Sequence, residues 1–303
     1  MTLYEAFGIV LASDVPLPEL SPAPSASLPA EASIRIGPLP ELADQQEPVG
    51  ARRIGPLVWA SADRFWLRVP GIARFRIAGG REIIIDRDLG GDPAAFRPFL
   101  LGTALGVMLM QRGALVLHGS AVRVGEGCVV FVGPSGAGKS TLAAGFLRRG
   151  FGVLADDLVT VDDEGRVLPG VPRIKLWAHA TRAMAIDTTG LQRIRPNLDK
   201  FSYPTLDGLD RIPVPVRAIA TLGTTNRNLV SLTCLEKFAK FKAVSANVYR
   251  PQFIEAMALR RRYMEQCTRL AAAVPVMRLV RPQDGFTVDL LVDQVLQTLD
   301  RAM

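Results

Sequence analysis

One stretch constrains this chain more than any other. An apolar run, CVVFV, ends in GPSGAGKST and passes directly into the helix-forming residues LAAGFLRR. The pattern G-x-x-x-x-G-K-[ST], placed between a strand and a helix, is that of a loop built to hold phosphate. Its glycines let the backbone curl until successive N–H groups face one anion, and the following helix offers its positive end to the same anion. Lys139 is then expected to reach the β- and γ-phosphates, and the Ser140 hydroxyl to hold Mg²⁺. Gly133, Pro134, Ser135, Gly136, Ala137, Gly138, Lys139, Ser140 and Thr141 are the expected nucleotide-binding residues, with ATP and Mg²⁺ as cofactors. A plain Gly-rich turn would need neither the lysine nor the serine. Lys139 is the first lysine of the chain, although arginines are plentiful before it.

A length of 303 residues allows one large domain or two ordinary ones, and a hydrophobic share of 49% is ample for a core. Three widely spaced cysteines (Cys128, Cys234, Cys267) argue against a disulfide framework or a zinc site. No basic–apolar–small signal opens the sequence, and the longest apolar run, 99–110, is too short to span a bilayer. The expectation is a cytoplasmic protein with no membrane partner. The net charge of +7 is uneven. Residues 1–50 carry seven acids against one base, Arg35, whereas 236–262 carry seven Lys/Arg against two acids. That basic segment is either a solvated face or a docking surface for an acidic partner. No aromatic interleaving resembles an RNA-stacking platform, so no nucleic-acid partner is expected.

The expected fold class is α/β, divided as a β-rich N-terminal domain over 1–93 and a nucleotide-binding domain over 94–303. In the first, 57–60, 64–69, 73–77 and 82–86 read as successive strands of a small antiparallel layer, with Pro70-Gly71 and Gly79-Gly80 as turns. Residues 94–112 read as an apolar helix. In the second, 114–122 is a strand, the helix after Ser140 stops at Gly150, and 153–157 is a further strand. The crossover places the strands before and after that helix in parallel, so Asp156 and Asp157 lie beside the loop. Residues 213–222 and 276–280 read as strands, and 232–245, 252–272 and 288–299 as helices.

Two carboxylates beside a triphosphate point to a division of labour. One would coordinate Mg²⁺ and the other accept a proton from an attacking hydroxyl. Adjacent strand residues face opposite ways, so both serve one site only if the chain bends there. A solvated turn is the bland alternative. His118, at the end of the neighbouring strand, would fix an aspartate; His179 has no partner in the sequence and reads as structural. Residues 191–200 supply three bases, Arg193, Arg195 and Lys200, any of which would neutralise transition-state charge or lie on the surface.

Together LHGSAV, GPSGAGKST and RRGFGVLADDLV resemble the catalytic domain of the bacterial HPr kinase/phosphorylase family, over about 114–162 and more weakly to about 205. The resemblance implies a P-loop nucleotide-binding fold of the HPr kinase and phosphoenolpyruvate carboxykinase type. It implies Asp156 as general base, Asp157 as magnesium ligand, His118 as the partner that orients the base, and a homo-oligomer. The family's Glu-x-Arg-Gly stretch is replaced here by AIDTTGL at 185–191, which counts against phosphorylase activity and against HPr as substrate. The whole chain looks most like the HPr-kinase-like proteins of lasso-peptide biosynthesis clusters. That resemblance implies an ATP-dependent serine kinase acting on a precursor peptide or small protein acceptor. A small-molecule kinase on the same fold and a nucleotide-gated binding module remain open beside it.

Overall fold

The computed structural model describes residues 1–40, 42, 47–88, 92, 94–195, 198–205 and 212–301. It is mixed α/β, in two compact units: residues 1–116 with 249–265, and residues 117–248 with 266–303. The division therefore falls after residue 116 rather than after residue 93, and a later segment belongs to the first unit.

The first unit is a sheet of nine strands: β1 (Thr2–Ala6), β2 (Ile9–Ser13), β3 (Ser21–Pro22), β4 (Ala32–Ile36), β5 (Arg52–Gly55), β6 (Val58–Ala60), β7 (Arg64–Val69), β8 (Ala73–Ala78) and β9 (Glu82–Arg87). Their order is β3-β1-β2-β4-β9-β8-β7-β6-β5. β6 to β9 are the four expected antiparallel strands, and β5, which was not expected, extends their meander at its edge. The strict alternation of ARFRIA in β8 buries Ala73, Phe75 and Ile77 and leaves Arg74 and Arg76 on the other face. The layer is not wholly antiparallel, because β4 runs parallel to both β2 and β9. The apolar segment after it is helical but not one α-helix. α1 (Arg97–Phe99) and α2 (Leu105–Gln111) are joined by a π-helical turn, Leu100–Ala104, and every residue from 100 to 110 is buried.

The second unit is built on a seven-stranded sheet of β10 (Leu115–Val124), β11 (Gly127–Val132), β12 (Val153–Val161), β13 (Arg166–Leu168), β17 (Val214–Thr225), β18 (Ser231–Cys234) and β19 (Val276–Pro282). Its order is β11-β10-β12-β13-β17-β19-β18, and β11 also pairs with β17. Pairing thus runs continuously from β11 through β10, β12, β13 and β17 back to β11. β17 is parallel to β11 and antiparallel to β13, which is antiparallel to β12. β11 and β12 consequently share a direction, as the crossover through α3 (Lys139–Arg148) requires. They are not neighbours, since β10 lies between them and is antiparallel to β11.

A smaller sheet, β14 (Arg173–Trp177), β15 (Arg193–Arg195) and β16 (Leu198–Pro204), has the order β14-β16-β15, with α4 (Ala178–Ala183) after β14. The expected helix over 232–245 is instead β18, paired with β19, followed by α5 (Lys237–Ser245). The expected helix over 252–272 is two, α6 (Pro251–Ala256) and α7 (Arg260–Ala273). Ala258 breaks it, because its φ of 58° is left-handed and cannot continue a right-handed helix. α8 (Val288–Arg301) closes the chain, burying Val288, Leu291, Val292, Val295 and Leu299 at helical spacing.

The core of this unit lies between α3, α8 and the large sheet. Phe146 of α3 packs on Phe131 of β11 and on Phe151, each at 5.4 Å between ring centroids. Side chains of this kind contribute roughly 1.5–3 kcal/mol each on burial. They fix α3, and with it the loop at its N-terminus, to the end of β11. No helix among the described residues is long and apolar enough to cross a membrane.

Candidate functional site

The loop between β11 and α3 needs its glycines for stated reasons. Gly133 has φ 142°, and a Cβ there would stand 2.7 Å from the Leu222 carbonyl oxygen. Gly136 and Gly138 have φ of 82° and 104°, a region that L side chains avoid. Gly138 is the N-cap of α3 and supplies no side chain to the first turn, so the open N–H groups of α3 face the loop.

Lys139 is the first residue of α3 and is buried. Its ammonium folds back onto the loop, donating to the carbonyls of Gly133 at 2.9 Å and Pro134 at 3.0 Å. Burial lowers its pKa, against the opposing pull of Asp156 and Asp157. Ser140, next on the helix, donates its hydroxyl to Asp156 Oδ1 at 2.8 Å.

Asp156 and Asp157 both turn toward this loop because β12 bends between them. Asp157 has φ 76°, a conformation that a regular strand never uses and that aspartate tolerates better than most residues. The buried Asp156 carboxylate accepts three hydrogen bonds. Ser120 Oγ donates to Oδ1 at 2.7 Å, Ser140 Oγ to the same oxygen, and the Lys175 backbone N–H to Oδ2 at 2.8 Å. Asp157 instead takes the Lys175 ammonium on Oδ2 at 2.6 Å and His118 Nδ1 near Oδ1 at 3.4 Å. Burial works against its ionisation. The Lys175 charge and the His118 and Lys175 hydrogen bonds outweigh that effect and hold the carboxyl well below the usual carboxylate range.

His118 therefore meets Asp157, and not the Asp156 that the family resemblance implied. The bend is the reason, since it swings the Asp157 side chain and carbonyl toward β10, where His118 Nδ1 also lies 3.2 Å from the Asp157 oxygen. Lys139, Ser140, Asp156, Asp157 and His118 converge as expected. Thr141 follows in the first turn of α3, and Ser135 is exposed in the loop. His179 is exposed on α4. Asp187 caps its own exposed turn, accepting from the Thr189 N–H at 2.8 Å.

Three further residues belong here and carried no motif. Lys175 touches both carboxylates, one through its backbone and one through its side chain. Ser120 stands two positions after His118, so strand alternation puts both on one face of β10, a signal present in LHGSAV. Lys200 pairs across β14–β16 with Trp177, its ammonium 5.4 Å from the ring centroid. Burial lowers its pKa, while Asp156 and Asp157 pull the other way. Of the other two bases in that segment, Arg193 is paired with Asp199 at 3.0 Å and lies over Phe201. Pro196 and Asn197 lie outside the described residues.

Arg281, near the end of β19, reaches the loop from the opposite side, its Nε donating to the Ala137 carbonyl at 3.3 Å. The site thus gathers several cations around two carboxylates and an uncapped helix end. Among the described residues no three His, Cys, Asp or Glu side chains cluster as a metal-holding group. No protein-family model matches the chain, and no curated protein matches it at a significant level.

Proposed function

We propose that this chain is a magnesium- and ATP-dependent kinase that transfers the γ-phosphoryl group to a serine hydroxyl of a peptide or small protein. A ribosomally made precursor peptide is the acceptor we favour, in keeping with the HPr-kinase-like resemblance. The observation that carries the reading is that the loop lysine and serine share one site with two adjacent carboxylates in separate hydrogen-bond environments. The residues fit both the nucleotide and the magnesium ion. Left-handed glycines and the uncapped end of α3 suit the phosphates, and the Ser140–Asp156 pair offers two oxygen ligands to a hard cation.

Ser140 and Asp156 would hold the magnesium ion, which when bound neutralises charge on the phosphate oxygens. Lys139 exchanges its two loop carbonyls for phosphate oxygens. Asp157, kept ionised by Lys175, accepts the hydrogen bond of the acceptor hydroxyl and takes its proton as the new P–O bond forms and the bond to ADP breaks. His118 positions Asp157. This division reverses the one that the family resemblance implied, because the Ser140 contact belongs to Asp156 and the His118 contact to Asp157.

The test is single-turnover transfer from radiolabelled ATP to arrayed serine peptides, with nucleotide affinity measured alongside. Asp157→Asn is expected to lose about 10²–10⁴-fold in transfer while still binding nucleotide. Lys139→Ala is expected to lose nucleotide affinity as well. Wild-type protein that labels no peptide overturns the reading, and so does an Asp157→Asn variant that labels at the wild-type rate.

A further inference from the structure

The basic stretch over 236–262 is divided between the two units. Residues 249–265 belong to the first unit, where Arg260 is paired with Glu255 at 3.3 Å and Arg250 lies over Tyr249 and Phe253. What remains in the second unit is α5, with the sequence KFAKFKAVS. Val244 is its one buried residue. Lys237, Lys240 and Lys242 make no ion pair among the described residues. Phe238 is 72% exposed and stacks on Phe241 at 5.6 Å, the planes 30° apart. A helix face meant only for water gains nothing from such an aromatic pair, whereas a face that docks a partner does.

The C-terminal end of α5 is tied directly to the site. The Asn247 N–H bonds the Val244 carbonyl at 3.0 Å, and the Asn247 carbonyl accepts from the His118 N–H at 2.8 Å. Leu117 and Val248 bridge beside it. His118 in turn contacts Asp157. A nine-residue helix is about 14 Å long, a span that roughly four extended residues cover.

We propose that α5 docks an acidic peptide segment, its carboxylates on the three lysines and an apolar side chain on the Phe238–Phe241 pair. A serine a few residues away in the same peptide then reaches Asp157. This extension rests on the kinase reading for the chemistry, but the docking stands on the surface alone. Charge complementarity selects an acidic partner, and the paired rings select one with interspersed apolar residues. A partner of that composition is recognised by the pattern rather than by one residue.

The probe is a short fluorescein-labelled peptide of alternating glutamate and leucine with one serine, its binding to the full chain followed by anisotropy without nucleotide. Lys237→Glu, Lys240→Glu and Lys242→Glu combined are expected to weaken binding by about 10–100-fold and to flatten its salt dependence. Phe238→Ser with Phe241→Ser is expected to weaken it with the salt dependence retained. Both variants are expected to keep wild-type nucleotide affinity, which certifies their fold. Equal binding of a lysine–leucine peptide, or unchanged binding by both variants, overturns the proposal. So does a preference for phosphatidylserine vesicles over the peptide, or loss of binding on dilution in step with dissociation of a dimer. If the peptide docks on α5 and no phosphate is transferred, the docking stands and the kinase reading falls.

Discussion

Asp156 is predicted to be a structural and a chemical residue at once, and two substitutions separate the roles. The buried carboxylate accepts from two hydroxyls and one backbone N–H, all at 2.7–2.8 Å. Asp156→Ala leaves the Lys175 N–H and the fully buried Ser120 hydroxyl without an acceptor, while the less buried Ser140 hydroxyl can turn to water. Each orphaned buried group costs about 1–3 kcal/mol, so the expected loss is about 2–6 kcal/mol, a large share of an ordinary domain's stability.

Asp156→Asn should fare far better. Its amide oxygen can keep the Lys175 N–H, and its NH₂ can donate to Ser120 and Ser140, whose hydroxyls rotate to accept. About 1 kcal/mol or less should be lost. Its activity should nevertheless fall, since a neutral amide replaces the anionic cation ligand, and higher Mg²⁺ or Mn²⁺ should restore part of it. Urea unfolding midpoints, read beside metal-dependent transfer rates, test both halves. Equal stability of the alanine and asparagine variants would refute the hydrogen-bond argument. Metal rescue of Asp157→Asn in place of Asp156→Asn would refute the proposed roles.

Two other expectations follow from single contacts. Lys200→Met should lower kcat by tenfold or more with nucleotide affinity nearly kept, because one cation near developing charge is removed. Arg193→Met, which breaks only an exposed pair, should leave kcat unchanged in the same assay. Burial pushes the Cys128 and Cys267 thiols up to about 12, whereas Cys234 is exposed. Native protein at pH 8 should therefore take up about one iodoacetamide per chain, and urea-unfolded protein about three, by intact mass.

The strand–loop–helix frame was legible because each part carries a local signal. An apolar run, left-handed glycines, a lysine with no compositional reason to be there and a Gly150 stop mark it without reference to the rest of the chain. The strands of the first unit were legible for the same reason, since a period of two in ARFRIA depends on one face being buried. What escaped depends on pairing between distant segments. Nothing in RIKLW says that the Lys175 N–H will meet Asp156, because that contact requires β14 to lie beside β12. The parallel placement of β4 was equally hidden. The helix expected over 232–245 failed only at its start, and for a different cause. Its start is short and apolar, and pairing with β19 decided the outcome where propensity did not.

The bend at Asp157 joins these two kinds of information. Alternation alone would send the two aspartates to opposite faces and leave one of them unused by the loop. A left-handed aspartate inside a strand costs on the order of 1 kcal/mol or more, and it persists only where surrounding contacts over-determine it. Here they do, with Lys175 on one carboxylate oxygen, His118 near the other, and His118 again at the backbone carbonyl. The strain and the contacts explain each other. The ion pair needs the bend to bring Asp157 within reach of Lys175, and the bend needs the ion pair to offset its cost. Lys175 couples the pair further, because its own N–H fixes Asp156. A displacement of β14 would disturb both carboxylates together. The small three-stranded sheet is on this account part of the site, because β14 carries Lys175, which contacts both carboxylates.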